Sequence, residues 1–350
     1  MKQLTVLAVG PYWPAGSFRF LTEALEHANI RVFRVGPMFL DHGGVSWDVS
    51  DFPTIHVPLG KNVAWDVPYY VDLCTKQIGA PDFIFYSEES YSNQIIPKQD
   101  IPSALWSLDG WPQNFGRIQM FKATKGYMNH PFGIRLHPRI FEDERWEFMP
   151  GAAAPWVHWN YQIERDIDFV LLASMYGYRP HLVQGLQALG YATVSGFHKT
   201  DRFVTFHNRG LFTYHNANLQ EEVKVRFFEA AAMGTCIISD HTRLLHRLGY
   251  EPWIHYIPCP IDVRSILENP QWHEAWPSVE TMKEILDYGL DNKQHIATIA
   301  RQCRDKVLSQ DTYYHRAATM LAGLESGMVR SQHYASLLEL ARGFIYKRNT

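Results

Sequence analysis

Two hydrophobic rhythms alternate along this chain. Short unbroken apolar runs, the mark of strands buried on both faces, are followed by stretches whose apolar residues recur at helical spacing. Leu4 to Val9 is the first run, and Gly10 to Gly16 is the loop after it. Ser17 is placed to cap a helix reaching His27, with Phe18, Leu21 and Leu25 on one face, and Ile30 to Val35 is the next strand. Gly36 to Gly60, rich in Gly, Pro and Asp, reads as irregular. A helix over Pro68–Ile78 precedes strands over Phe83–Tyr86, Ala104–Leu108 and Gly126–Met128. Strands separated by helices predict a parallel sheet, which collects ligands at the carboxyl ends of its strands. Those ends carry Gly10, Glu88, Asp109 and His130.

Residues 149–160, MPGAAAPWVHWN, read as an interdomain linker. A second series follows. Asp168–Ala173 is a strand, Ser174–Pro180 a loop, Pro180–Leu189 a helix closed by Gly190, and Ala192–Ser195 a strand. Strands are predicted over Leu211–Tyr214, Cys236–Ser239 and Trp253–Ile257. Helices are predicted from Asn218 to Gly234 and over Thr242–Leu248, Val279–Tyr288, Asn292–Ser309, Tyr313–Glu325 and Gln332–Tyr346. The expected architecture is α/β, with two doubly wound Rossmann-like domains facing a central cleft. The first spans residues 1–150 and the second 151–330, with a C-terminal helix in 331–350 packing back on the first.

Composition narrows the class. A chain of 350 residues exceeds one ordinary core. A formal net charge of −3 gives no global field that would draw in nucleic acid. Cys74, Cys236, Cys259 and Cys303 lie far apart and outside any zinc spacing, so reduced thiols in a cytoplasmic protein are expected. The first apolar run is too short for a signal peptide, and none reaches membrane-spanning length.

The most unusual stretch is Asn218–Asp240. Val223, Phe227 and Ala230–Ala232 form a broad apolar face, yet Glu229 is wedged between Phe228 and Ala230. A carboxylate near a core needs a partner, either Arg226 one turn earlier or a bound polyhydroxyl ligand. Glu221 lies eight residues before it, giving Glu-x7-Glu. Arg179, with Gly177 in the loop before it, sits between a strand and a helix, where helix amides and a guanidinium both favour an anion; the alternative is a solvated arginine. Arg226 is either such a cation or the partner of Glu222. Asp109 before Gly110 is a catalytic carboxylate or a turn residue, and His130 before Pro131 is open in the same way. The Gly10–Gly16 loop does not match a dinucleotide fingerprint. Asp166-Ile-Asp168 has the form of a metal-binding pair, but it opens a strand instead of closing one, so no metal site is expected.

Taken together, these segments resemble the GT-B glycosyltransferases, and more narrowly the spore-maturation-protein-like members with a group-1-type C-terminal domain. The resemblance is best from Phe148 to Met320. It rests on the MPGAAAPW linker, on DIDFVLLASMYGYRPHLVQGLQALG, on DTYYHRAATML, and above all on Arg226, Phe228, Glu229, Ala230, Ala232 and Gly234 of an R-x-F-E-A-x-A-x-G signature. The N-terminal half matches more loosely, at WSLDGWP. The resemblance implies a nucleotide-diphosphate sugar as donor substrate, no cofactor, metal-independent transfer and a retained anomeric configuration. Glu229 would hold the ribose, Glu221 the transferred sugar, and Arg179 and Arg226 the diphosphate, with Gly10 and Gly177 in the donor loops. Asp109 would act as base or orient the acceptor, and His130 is a further catalytic candidate. One departure is that Arg179 is followed by Pro180-His181-Leu182, without the lysine related enzymes often carry, so His181, Lys199, Lys224 or Arg226 would take its place. The acceptor is open: a glycan or small molecule first, a protein side chain, or a hydroxymethylated DNA base met by Lys122, Lys125 and the Arg135–Arg139 stretch. Two other readings fit the same architecture: a catalytically silent nucleotide-sugar-binding protein and a nucleotide-sugar epimerase.

Overall fold

The computed structural model describes residues 3–13, 15–36, 38, 41–42, 45–46, 57–58, 66–88, 100–107, 125–128, 146–216, 223–240, 242–262, 265, 275–324 and 328–346. The chain divides into two compact units. Unit 1 holds Met1–His42, Ser46–Gly151 and Tyr313–Thr350; unit 2 holds Ala152–Thr312 and the short piece Gly43–Val45.

Unit 1 is built on a parallel sheet. Its strands lie in the order Val57–Pro58, Arg31–Gly36, Thr5–Val9, Phe83–Glu88, Ser103–Ser107, Lys125–Met128 and Trp146–Phe148. Every neighbouring pair is parallel, with Val6 opposite both Val32 and Phe83. The order reverses at Thr5–Val9, so Gly10 leaves the sheet at a topological switch point. Gly10 is there for packing: a Cβ on Gly36 would fall 1.7 Å from the Gly10 carbonyl oxygen, and one on Gly10 would meet Ser87 Cβ at 3.0 Å. One apolar face buries Leu7, Val9, Phe33, Ile84, Tyr86 and Leu105 under the helix Val67–Gln77. The helix Ser17–His27 lies in the same unit, and its N-cap is Gly16, not Ser17. The Ser17 hydroxyl instead accepts from Tyr313 Oη at 2.8 Å.

That contact explains a shifted boundary. The return to unit 1 comes at Thr312/Tyr313, not at 330/331. Besides Tyr313, Tyr314 Oη lies 2.8 Å from His27 Nδ1, and Arg316 donates to the carbonyls of Pro150 and Gly151. Helix Tyr313–Leu324 therefore belongs with the first strands of the chain, and helix Met328–Tyr346 follows it in the same unit.

Unit 2 repeats the plan with strands ordered Thr193–Ser195, Ile167–Leu171, Gly210–His215, Cys236–Ser239 and Ile257–Pro258, all parallel. Phe169, Leu171, Phe212, Tyr214, Cys236 and Ile238 alternate onto one face and pack with Leu182, Leu186, Met282 and Ile299. Each such side chain contributes about 1.5–3 kcal/mol through burial. The supposed linker is packed instead: Ala152, Ala153 and Ala154 are fully buried, and Ala153 N donates to Asp311 O at 3.0 Å. The helix predicted from Asn218 runs over Val225–Ala232 with Lys224 as N-cap, and residues 217–222 lie outside the described residues. Where a strand was predicted from Trp253, residues 253–255 form a turn with Trp253 at φ 63, and the strand is only Ile257–Pro258.

Helix Thr200–Arg209 was not predicted at all. Its buried face is Val204, His207 and Asn208, two of them polar, so no apolar period marks it. Asn208 makes this burial tolerable by donating to Trp159 O and Val204 O at 2.9 Å each and accepting from Tyr161 N at 2.7 Å.

Candidate functional site

In unit 2 the strand order reverses between Ile167–Leu171 and Gly210–His215, and a cavity opens at their carboxyl ends. It encloses about 490 Å³, part of it open solvent. Leu171, Leu172 and Ala173 line it from one strand end, and Thr213, Tyr214, His215 and Asn216 from the other. Arg179, Lys224 and Arg226 bring three cationic side chains to the wall, and its described lining includes no Asp or Glu. Such a wall attracts an anion.

Two local devices hold these cations. Gly177, at φ 59, turns the loop after the first strand and delivers Arg179 as the first residue of helix Arg179–Ala188. The Arg179 guanidinium donates to Ser174 O and Tyr176 Oη, both at 2.8 Å, and its carbon stands 3.9 Å from the centre of the Tyr176 ring. Trp276, also in the wall, lies 5.5 Å from it. Arg179 is 5% exposed, so the solvated-arginine reading does not hold.

The second device is a histidine. The Lys224 amide donates to His215 Nε2 at 3.0 Å. With Nε2 accepting, Nδ1 carries the proton and donates to Ser239 Oγ at 3.0 Å, and Ser239 Oγ donates to Asp240 O at 2.9 Å. This chain ties the start of helix Val225–Ala232 to the ends of two strands and presents Lys224 and Arg226 to the cavity. Asn216 continues the rim and donates to Ala275 O.

Glu229, one turn after Arg226 on the same helix, is not among the lining residues. It is 6% exposed, and burial pushes its carboxyl up to about 8 against the opposing pull of the Arg226 charge. Ala154 N donates to His158 Nδ1 at 3.0 Å, which leaves the proton on Nε2, 3.6 Å from Glu229 Oε1. Of the partners considered from sequence, Arg226 acts on Glu229 through its charge, while the closest polar contact is His158, a residue that nothing in the sequence marked out. His207 is buried within electrostatic reach of His158 and Arg226. Burial, with the His158, Arg226 and Arg165 charges adding to it, pushes its imidazole down to about 3. Arg165 donates to the carbonyls of His207, Gly210 and Met233, and burial lowers it to about 10.

Of the other residues singled out from sequence, Gly10 belongs to unit 1 and donates its amide to Val35 O at 3.0 Å. Asp109, His130 and Glu221 lie outside the described residues, as do Lys122, Arg135 and Arg139. Asp166 takes Arg209 in a two-pronged ion pair, and Asp168 accepts from Ala192 N at 2.8 Å, so both carboxylates serve the fold. Among the described residues no group of three His, Cys, Asp or Glu could hold a metal ion. No helix among them is long and apolar enough to cross a membrane. Sequence reasoning missed His158, His207, His215 and Trp276; only His215, at the end of a strand, stood where a signal existed.

Residues 159–322 match the family described as glycosyl transferase-like, a span that takes in most of unit 2 and continues past its end at Thr312. No curated protein matches the chain. Three of the solved structures that share its fold illustrate the likeness. Anabaena HepE in complex with UDP-glucose superposes with TM-score 0.59 at 12% identity, covering 92% of this chain and 100% of HepE. AviGT4, a glycosyltransferase of avilamycin A biosynthesis, gives TM-score 0.53 at 11% identity over 96% and 98%. Sucrose-phosphate synthase from Thermosynechococcus elongatus gives TM-score 0.56 at 11% identity over 91% and 97%. The chain thus has the α/β architecture of the GT-B glycosyltransferases, two Rossmann-like parts each on a parallel sheet.

Proposed function

We propose that this protein is a glycosyltransferase that moves a sugar from a nucleoside-diphosphate sugar to a hydroxyl acceptor, with the donor diphosphate held in the cavity of unit 2. The observation that carries this reading is the wall of Arg179, Lys224 and Arg226 at a switch point within a glycosyl transferase-like domain. In the reaction the anomeric carbon–oxygen bond to the diphosphate breaks and a bond to the acceptor oxygen forms. The acceptor proton goes to a base, for which Asp109 is the proposed group and His130 the second candidate. Negative charge grows on the departing diphosphate, and cations fixed beside it lower the barrier. Lys224 supplies the positive charge that the Arg179 loop lacks. Glu229 is the proposed contact to the ribose, and Glu221 the proposed contact to the transferred sugar.

Transfer is metal-independent in this reading, because the charge a divalent ion would neutralise is met by arginine and lysine. Retention of anomeric configuration follows from the family resemblance. A glycan or small-molecule hydroxyl is the favoured acceptor. The test is release of nucleoside diphosphate from UDP-glucose and GDP-mannose, with and without pooled glycan acceptors. Acceptor-dependent release with a new glycosidic product supports transfer. Binding without release would leave a silent nucleotide-sugar-binding protein, and an isomerised donor with no release would make it an epimerase.

A further inference from the structure

Among the described residues of the cavity wall, a buried histidine nitrogen makes no hydrogen bond within the protein. His207, on the last turn of helix Thr200–Arg209, is 1% exposed, lines the cavity, and has no hydrogen-bond partner at Nε2. The tautomer follows from its neighbour. Thr235 Oγ1 gives its single proton to His207 O at 2.7 Å, so at 3.4 Å from His207 Nδ1 it can only accept. Nδ1 therefore carries the ring proton, and Nε2 presents a bare lone pair. The ring is kept neutral by burial and by the nearby Arg226 and Arg165 charges. Burying an acceptor with nothing to accept from is costly, and native proteins seldom carry that cost without a use.

Resting on the nucleotide-sugar reading above, we infer that His207 Nε2 is a ligand contact: it accepts a hydrogen bond from a hydroxyl of the bound donor, on the ribose or on the transferred sugar. The requirement is for a donor group, and the phosphates, bound at the cationic part of the wall, offer none at neutral pH. Ribose and hexose hydroxyls flank the diphosphate on its two sides, within reach of the same wall. The expected consequence is selectivity for ligands that carry the hydroxyl, since a buried polar group left unpaired penalises the analogue lacking it.

The experiment uses the full-length protein and calorimetric binding of UDP, GDP and ADP, followed by the 2′-deoxy and 3′-deoxy forms of whichever binds and by the corresponding glucose conjugate. His207→Phe keeps a planar ring against Phe203, whose ring centre is 4.6 Å away, and removes the lone pair; His207→Gln restores an acceptor. Thermal unfolding of each variant serves as the folding control. The expected result is a five- to twentyfold weakening in His207→Phe for the ligand bearing the contacted hydroxyl, no change for its deoxy form, and partial recovery in His207→Gln. Loss on the ribonucleotide assigns the contact to the ribose; loss only on the glucose conjugate assigns it to the sugar. Equal losses on all analogues, or no loss on any, would overturn the inference while leaving the nucleotide reading standing. Failure of the wild-type protein to bind any of the nucleotides or the conjugates would overturn both. If His207→Phe fails to fold, His207→Gln decides alone: it must keep the preference for the hydroxyl-bearing ligand, and equal binding of both forms sinks the idea.

Discussion

His215 Nε2 accepts the backbone amide of Lys224 at 3.0 Å, and through this one bond the end of a buried strand fixes where the cationic turn begins. His215→Ala removes that acceptor and leaves Ser239 Oγ without its donor. We expect a loss of about 1–3 kcal/mol in stability, read by thermal unfolding. Donor KM should rise more than kcat falls, because Lys224 and Arg226 lose their setting while remaining present. An unchanged KM would remove the positioning role.

Arg226→Ala should weaken UDP binding by roughly 10- to 100-fold, the worth of a charge-assisted hydrogen bond of about 1.5–3 kcal/mol. Uridine, which lacks the diphosphate, should bind the variant and the wild type equally. Paired calorimetric titrations compare the two ligands, and equal losses would show that Arg226 does not read the phosphates.

Glu229 titrates near 8 in the folded chain, above the ordinary value of 4.5. The folded state thus holds its proton more tightly than the unfolded state does. Its effect on stability is most favourable below pH 4.5 and is lost as pH rises toward 8. Glu229→Gln keeps the shape without the titration. Its thermal midpoint should fall less than that of the wild type between pH 5 and pH 8; parallel curves would contradict the placement of this carboxyl in a dry environment.

His207 pulls the other way. Its folded value near 3 lies below the ordinary 6.5, so its contribution is whole above pH 6.5 and is lost as pH falls toward 3. His207→Phe should resist acid better than the wild type in that window, as measured by the unfolding midpoint from pH 6.5 to pH 4. Greater acid sensitivity in the variant would count against a neutral buried ring.

Gly36→Ala places a methyl group 1.7 Å from the Gly10 carbonyl oxygen, which is backbone and cannot step aside. A cost above about 4 kcal/mol, or failure to fold, is the expected outcome. Gly10→Ala meets Ser87 at 3.0 Å and should cost less. Reversing that order in a denaturant series would show that the two strand ends are not apposed as described.

Most strands of both sheets were legible because apolar runs bounded by turn residues leave few alternatives, but the short edge strands Val57–Pro58 and Trp146–Phe148 were not; Gly234, at φ 78, closed its helix as its position predicts. What stayed hidden was polar burial. Helix Thr200–Arg209 turns His207 and Asn208 inward, and a pattern reader scores both as solvent-facing. The same blindness concealed the site. Arg179, Arg226 and Glu229 were visible as charges in unusual places, but that Arg179 and Arg226 share one wall, and that Glu229 meets His158, depends on how residues distant in sequence come together in the fold. The segment 149–160 misled for a related reason: alanines beside prolines look like a tether in one dimension, yet small side chains are what lets Ala153 lie against Asp311 and Thr312.

The bridge between Ala153 and Thr312 brings the two ends of the intervening segment together, so in the connectivity unit 2 is a cassette spliced into unit 1. On the ribosome, residues 152–312 have everything they need for their own core before Tyr313 has been made. The earlier residues must wait for Tyr313, Tyr314 and Arg316 to emerge before Ser17, His27 and the carbonyls of Pro150 and Gly151 find their partners. The first-translated half of this protein is therefore the last to be completed, and a chain truncated before Tyr313 would leave the ribosome with its later half folded and its earlier half unfinished.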